Sequence, residues 1–334
     1  VSTRSLILDY LKKNAGQTSV SGKILAGRFS VTRAAIHKQI RGLRQAGYSI
    51  VGKSRCGYRF EASENILDVR QIRSALSAER FYGHLEYHPV LSSTQDVAKD
   101  RAFHGEPEGT VVIAERQTSG RGRLGRRWIS SPGGLWFSII LRPALSPRSI
   151  PSLPLVAALV LCRTIEEVVS LKAGLKWPND VWIRGKKVAG ILAEMSSESD
   201  RVQWVVLGLG LNCLNSVPSD VISPAGSLAD LTGSRSVPRQ EILTKFLGEF
   251  RKAYQRYLME GFAAFRADYR RRSVLIGRDV TVNTSTGKRR GRVVDVDGEG
   301  RLVLRLSPGR NIVLSEGDVV PGSLRQEGRG RDGD

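Results

Sequence analysis

Acidic residues are almost missing from the first sixty positions of this 334-residue chain, where Asp9 stands alone against twelve lysines and arginines. The chain has a formal charge of +20, and more than half of that excess lies in the first fifth. Solubility charge alone would not cluster in this way. The clustering points to a nucleic-acid-binding N-terminus, because phosphate neutralisation dominates such affinity. Cysteine is also scarce: Cys56, Cys162 and Cys213 lie far apart and match no metal or redox spacing. An odd, unpaired set fits a reducing cytoplasm. The apolar run 153–161 contains Pro154, is closed by Arg163 and is too short to span a bilayer. The N-terminus lacks the apolar stretch and small-residue cleavage site of a signal peptide. A cytoplasmic protein with no membrane partner is expected.

Catalytic signatures are thin too. Gly185-Lys186-Lys187 lacks the upstream glycine and the following Ser/Thr of a phosphate-binding P-loop. Gly208-Leu209-Gly210 is too short for a dinucleotide fingerprint and sits within a strand-like run. The four histidines suggest no Ser/His/Asp set. His84 and His88 flank an alternating run with Glu86 that ends at Pro89, so they read as structural residues on a strand rather than as metal ligands.

What is present falls into an α+β pattern. Residues 1–61 read as a winged helix-turn-helix. A first helix spans Thr3–Lys13, and a short second one follows Ser21 with Ile24 and Leu25 inward. A third starts at the N-cap Thr32 and runs to about Ala46 with Ala35, Ile36, Ile40 and Leu43 inward, and Gly47 stops it. A hairpin of Ser49–Val51 and Tyr58–Phe60 forms the wing. Arg33, Ala34, His37 and Lys38 then lie on the outer face of the third helix, where such helices meet base edges, and Lys53 and Arg55 of the wing suit phosphates. The alternative is a three-helix protein-docking module.

Residues 62–272 form the second unit. Its connector, 62–79, carries one helix over Asp68–Leu76 with Asp68 as cap. Strands are predicted at Leu85–His88, Thr110–Glu115, Trp136–Leu141, Val181–Ile183, Lys187–Met195 and Trp204–Leu211, with long helices over Ser152–Val169 and Ser236–Glu260. That mixture indicates a mixed sheet. Residues 273–325 switch to short strands, at Asp279–Asn283, Gly291–Asp295, Arg301–Leu306 and Asn311–Leu314, separated by glycine turns, as in a small β-barrel or sandwich. Residues 326–334 read as a disordered tail.

Two segments hold the chemistry. Gly120-Arg121-Gly122-Arg123-Leu124-Gly125-Arg126-Arg127-Trp128 is a glycine-rich loop with four arginines and a terminal aromatic. Forty-eight positions after Trp128 comes Lys176, opening Lys176-Trp177-Pro178-Asn179-Asp180. Glycines allow close backbone approach to an anion, and arginines supply planar forks for carboxylate and phosphate. Trp177 is expected to hold Lys176 partly buried. The bland reading is an RNA-binding loop and a buried turn. The sharper one is chemistry between two anions: with no nucleophilic side chain in view, converging cations suit an adenylation, in which a substrate carboxylate attacks the α-phosphate of ATP. Five glycines and four like charges predict a loop that orders on an anion and shields the mixed anhydride from water.

The run 117–128, followed by Ser131-Pro132-Gly133-Gly134-Leu135, resembles the signature loop of the biotin–protein ligases. Lys176–Asp180, Lys187-Val188-Ala189-Gly190-Ile191-Leu192 and Gly208-Leu209-Gly210-Leu211-Asn212 match that family's next motifs in order. The N-terminal module makes the chain similar to the bifunctional bacterial form, which also represses biotin synthesis genes. The resemblance covers residues 3–325. It implies a central sheet similar to class II aminoacyl-tRNA synthetases and an SH3-like C-terminal barrel. It also implies Mg-ATP-dependent formation of biotinyl-5'-AMP, and biotin transfer to a lysine of the biotin carboxyl carrier protein of acetyl-CoA carboxylase. Finally it implies a ligand-promoted homodimer on operator DNA.

By the same resemblance Ser93, Thr94 and Gln117 hold biotin. Arg121, Gly122 and Arg123 cover the carboxylate and α-phosphate, with Arg123 and Lys176 catalytic. Trp128, Lys187 and Asn212 line the nucleotide side, and Asp180 orients the incoming lysine or a magnesium ion. The chain departs from the family at Gln95, where asparagine is usual. Competing functions are a ligand-sensing regulator without ligase activity and a lipoate or octanoyl transferase on the same fold.

Overall fold

The structure is a computed structural model and describes residues 3–14, 19–45, 50–53, 57–60, 67–76, 80–218, 224–234 and 236–320, with only the backbone of Ser5, Lys12, Gln45 and Lys53. Ala46, Gly47 and Ser49, the wing tip with Arg55 and Cys56, much of the connector (61–66 and 77–79), residues 321–325 and the tail 326–334 lie outside the described residues.

The N-terminal module has its own core. Helices α1 (Thr3–Lys13), α2 (Gly22–Arg28) and α3 (Arg33–Gln45) precede an antiparallel pair, β1 (Ile50–Lys53) and β2 (Gly57–Phe60). Ile7, Leu11, Leu25, Ile36, Ile40, Leu43 and Phe60 close together away from the rest of the chain. Ser21 caps α2 by accepting from the Ile24 amide, and Thr32 caps α3 through the Ala35 amide. Only Leu25 of the α2 pair points inward; Ile24 is 56% exposed, because the short helix offers the core one residue per turn. The wing strands sit one to two residues later than predicted at β1. Arg44 fastens α3 to the wing by donating to the Ile50 carbonyl at 2.7 Å.

Helix α4 (Val69–Ala75), capped by Asp68, leads into the central sheet, and an exposed Arg70–Asp9 pair at 2.8 Å links it back to α1. Seven strands lie in the order β3-β4-β5-β9-β8-β7-β6, where β3 is Leu85–Leu91, β4 Val111–Gln117, β5 Leu135–Leu141, β6 Gly174–Lys176, β7 Asp180–Ile183, β8 Lys186–Glu198 and β9 Arg201–Leu211. Only β3 and β4 run parallel, so the sheet is mixed. The two faces follow from alternation. Val111 and Ile113 face the main core under α6 (Leu153–Val169) and α8 (Arg239–Glu260), whereas Val112 faces Ala98 and Ala102 of α5 (Thr94–Phe103). Helix α5 was not anticipated, since it seals its face of the sheet with two alanines and leaves Phe103 exposed. The short β6, α7 (Leu228–Thr232) and α9 (Ala263–Arg272) also escaped the apolar pattern, the last because it carries five charged residues.

Five antiparallel strands follow in the order β13-β12-β11-β10-β14: β10 (Asp279–Thr284), β11 (Gly287–Val296), β12 (Leu302–Ser307), β13 (Arg310–Leu314) and β14 (Asp318–Val319). The described ladders leave β13 and β14 as edges. Strand β11 starts four residues earlier than predicted, at a two-residue turn where Thr284 pairs Gly287. Val280, Val282, Val293, Leu302, Leu304 and Val319 belong to the same apolar cluster as the central sheet. The seam is tight at Gly300, which has φ +81° and whose carbonyl accepts from the Trp177 indole at 3.0 Å. A Cβ there would lie 2.6 Å from Leu155 Cδ1 and 2.9 Å from Ser152 Cβ, at the start of α6. Gly300→Ala is therefore expected to destabilise the protein by about 1–3 kcal/mol in urea unfolding. An unchanged midpoint would contradict docking through this seam.

Candidate active site

Every ligase-type site residue picked from the sequence lines one cavity of about 380 Å³, formed between the central sheet, the arginine loop and the 317–319 segment of the C-terminal sheet. Among the described residues neither histidine nor cysteine lines it. The described cysteines, Cys162 and Cys213, are buried and unpaired, and burial pushes the Cys213 thiol up to about 12. His84 and His88 pair separately with Glu106 and Glu86, away from the cavity.

One end is a buried neutral hydrogen-bonding cluster. Ser93 caps α5, which places Thr94 in its first turn, with the Thr94 amide and hydroxyl both donating to the Gln117 side-chain oxygen at 2.7 and 3.1 Å. The Gln117 amide donates to Ser130 Oγ at 2.7 Å, and Thr94 Oγ1 lies 2.9 Å from Ser138 Oγ. Gln95 belongs to this cluster: its amide donates to the Val206 carbonyl at 3.0 Å and its oxygen accepts from Ser138 at 3.1 Å. The longer amide reaches because Gly208 faces it with no side chain. Ser138, hidden in an all-buried strand, gave no signal in the sequence.

At the other end Gly190 and Gly210 sit directly opposite each other in the β8–β9 ladder. The Trp128 indole lies against both; a Cβ on Gly210 would fall 2.5 Å from its Nε1. Among the described residues its buried indole N–H has no hydrogen-bond partner. Asn212 is buried beside this floor and accepts from Asn215 at 3.0 Å.

The cations meet between these ends. Lys176 ends β6 and Asp180 opens β7, paired across the Trp177-Pro178-Asn179 turn. Lys176 is only 4% exposed; its ammonium donates to the Val319 carbonyl at 3.0 Å and lies 4.8 Å from the Trp182 ring centroid. The aromatic beside it is thus Trp182. Trp177 points away, because adjacent strand positions face opposite sides, and it bonds Gly300 instead. Burial holds the Lys176 ammonium below the usual lysine range, against the opposing pull of Asp180 and Asp318. Lys187 pairs with Asp180 at 2.5 Å and sits 5.2 Å from the Trp128 ring.

The arginine loop is folded on itself. Trp128 N donates to Gly120 O at 2.8 Å and Gly122 N to Arg126 O at 2.7 Å. Arg123 reaches inward to the Asn179 side-chain oxygen and the Gly317 carbonyl, both at 3.4 Å, and its burial lowers its affinity for a proton. Arg121 pairs with Asp96, and Arg126 with Asp318 at 2.5 Å. The loop's exit is clamped from beneath: Arg239 of α8 donates to the Gly134 carbonyl at 2.6 Å and pairs with Glu115 at 3.0 Å, while Glu115 accepts from the Gly133 amide at 3.1 Å. Nothing in the sequence marked Glu115, Arg239 or the 317–319 segment as part of this assembly, since each arrives from a distant element.

The residues expected to face DNA form a second group. Arg33, Ala34, His37 and Lys38 are all exposed along α3. Lys53 is placed on β1 by its backbone alone, and Arg55 lies outside the described residues.

Models of three families match in the same order: an HTH domain over 3–59, the biotin/lipoate A/B protein ligase family over 87–212, and the biotin protein ligase C-terminal domain over 275–320. The chain is 37% identical over 309 residues to a bifunctional ligase/repressor BirA of Bacillus subtilis, covering 91% of this chain and 95% of that one. This chain belongs to the bacterial bifunctional biotin protein ligase/repressor family. A biotin--[acetyl-CoA-carboxylase] ligase of Mycobacterium tuberculosis is 36% identical over 265 residues, 76% of this chain and 95% of its own. The biotin protein ligase from Aquifex aeolicus, solved in complex with biotin and ATP, superposes with a TM-score of 0.61 at 30% identity, covering 71% of this chain and 97% of that chain.

As a biotin protein ligase, the chain invests a buried ion pair in holding the loop exit. Removing one partner of such a pair leaves the other charge buried alone. Glu115→Ala is therefore expected to lower stability by about 3–5 kcal/mol in denaturant unfolding. A loss under about 1 kcal/mol would show that the pair does not clamp the turn.

Proposed function

We infer that this chain joins the biotin carboxylate to the α-phosphate of ATP, releasing diphosphate. It then passes the biotinyl group to a carrier lysine, releasing AMP, and it represses transcription through its winged helix. The observation carrying the ligase reading is the cavity in which buried Lys176 and half-buried Arg123 converge with no His or Cys nucleophile among the described residues that line it. The Aquifex relative's complex with biotin and ATP supports the same pairing of ligands.

The residue roles are our proposal. A ureido ring needs donors for its oxygen and acceptors for its N–H groups, and Ser93, Thr94 and Gln117 offer both. Arg121, Gly122 and Arg123 cover the carboxylate and α-phosphate, and Lys176 bridges their oxygens. Developing negative charge is stabilised by cations already fixed in the cavity, so little reorganisation opposes the step. Trp128 and Asn212 hold the nucleotide, and Lys187 meets phosphate oxygens. Each of these cations now has a protein acceptor, and ligand oxygens exchange with those acceptors on binding.

Among the described residues no group of three or more His, Cys, Asp or Glu gathers to hold a metal. Magnesium nonetheless fits Asp180, since that ion is commonly held by one or two carboxylates together with substrate phosphates, whose charge it would neutralise. Asp180 would otherwise orient the incoming lysine.

The relatives' names further support the biotin carboxyl carrier protein of acetyl-CoA carboxylase as acceptor and operator DNA as the second partner. We propose residues 1–61 for DNA binding, 62–272 for adenylation with the geometry of class II aminoacyl-tRNA synthetases, and 273–325 as a sheet curling into an SH3-like barrel. A ligand-promoted homodimer in the cytoplasm completes the reading. Among the described residues no helix is long and apolar enough to cross a membrane.

The test supplies the protein with labelled biotin, ATP, magnesium and a carrier domain. Label is expected on the carrier lysine, and absence of both transfer and diphosphate release would leave a ligand-sensing regulator or a lipoate or octanoyl transferase. Because the Lys176 proton is held less tightly than a free lysine's, kcat/KM for adenylation should fall on the alkaline side below the usual lysine range. Lys176→Arg should move that limb upward, while Lys176→Gln should lower the rate by about 100- to 1000-fold. An alkaline limb unmoved by Lys176→Arg would remove Lys176 from this role.

A further inference from the structure

We propose that the outer face of the C-terminal sheet is a separate binding surface for the phosphate backbone of duplex DNA. Alternation defines the face. Val280 and Val282 of β10, Val293 of β11, and Leu302 and Leu304 of β12 turn into the shared core, so their neighbours turn out. Those neighbours include Lys288, Arg290 and Arg292 on β11 and Arg305 on β12, all exposed. Successive β11 cations are two residues, or about 7 Å, apart along one strand. Arg305 extends the row sideways, because it lies directly opposite Arg292 in the ladder.

That pairing has a cost. Like charges directly opposite each other weaken a ladder, yet no described carboxylate forms an ion pair with any of the four cations. The region's acids are engaged elsewhere: Asp295 with Arg266 and Arg270, Asp297 and Glu299 with Arg301, Asp318 with Arg126, and Glu316 with the Ser285 hydroxyl. Asp279, across β10 from Arg292, is the single acid in register with the row, and it forms no ion pair among the described residues. The face therefore keeps a net positive field that the fold does not use.

The rest of the face selects the occupant. Residues 279–320 contain no Phe, Tyr or Trp, so no ring is available to stack on the bases of a single strand. The same lack removes the aromatic anchors on which protein interfaces rely. Thr281 and Asn283, in register with Arg290 and Lys288, add short polar groups. Spaced cations and small polar side chains without anchors suit phosphates, which position a protein on a duplex without reading sequence. The surface belongs to a different sheet from the winged helix and adds contacts independently of it.

The test measures the affinity of the full chain for a random-sequence duplex across a salt series. Each phosphate contact contributes about 0.9 to the slope of log affinity against log salt. The variant K288Q/R290Q/R292Q/R305Q should flatten that slope by about 3–4, and R292Q/R305Q by about 2. Both should adenylate biotin at the parent rate, which reports that they are folded. A winged-helix variant, R33Q/K38Q, should leave the contribution of the C-terminal face intact, so failure of the two DNA surfaces is distinguishable. An unchanged slope in the folded quadruple variant overturns the proposal. The same unchanged slope with slowed transfer to an acidic carrier overturns it in favour of a protein partner.

Discussion

Positive charge held out of water is the constraint on which the active site depends. Lys176 is buried and Arg123 and Lys187 are half-buried around one cavity, and their mutual repulsion would expel them unless acceptors were built in. The acceptors come from two directions: Asn179 and Asp180 from where the β6–β7 turn enters β7, and the Gly317 and Val319 carbonyls from the C-terminal sheet. The C-terminal sheet is thereby part of the cavity wall. Its apolar residues merge with the central core, and Gly300 lets it approach α6 closely enough to deliver the 317–319 segment.

The same logic fixes the loop. Its glycines allow the tight folding of Gly122 against Arg126, while Asp96 and Asp318 hold arginines at either end. The Glu115–Arg239 pair anchors the exit turn to β4 and α8. On the proposed reading the loop trades protein oxygens for ligand oxygens, so binding costs little new desolvation and gains charge-assisted bonds.

Much of this was legible in the sequence because the chemistry is written in contiguous motifs. The arginine loop, Lys176, Asn179, Asp180 and Asn212 share one cavity, as their residue types suggested. The six central strands and two long helices show clear apolar periods, and so does the winged helix. Elements that bury few or small apolar residues left no such trace: α5 seals its face with two alanines, and β6 is three residues long. Partners from afar were equally silent. Trp177 stood next to Lys176 in sequence, yet strand alternation gives the lysine Trp182 instead. The pair Gly190 and Gly210 becomes meaningful only once the β8–β9 register places them together under Trp128.

The central claim is that ligand binding exchanges the protein acceptors of the buried cations, including those on the C-terminal sheet. Amide hydrogen exchange during a titration with biotin and ATP tests it directly. The account predicts slower exchange across residues 120–134 and a change across 315–320 with the same midpoint. Protection of the loop with 315–320 unaffected at saturation would contradict it.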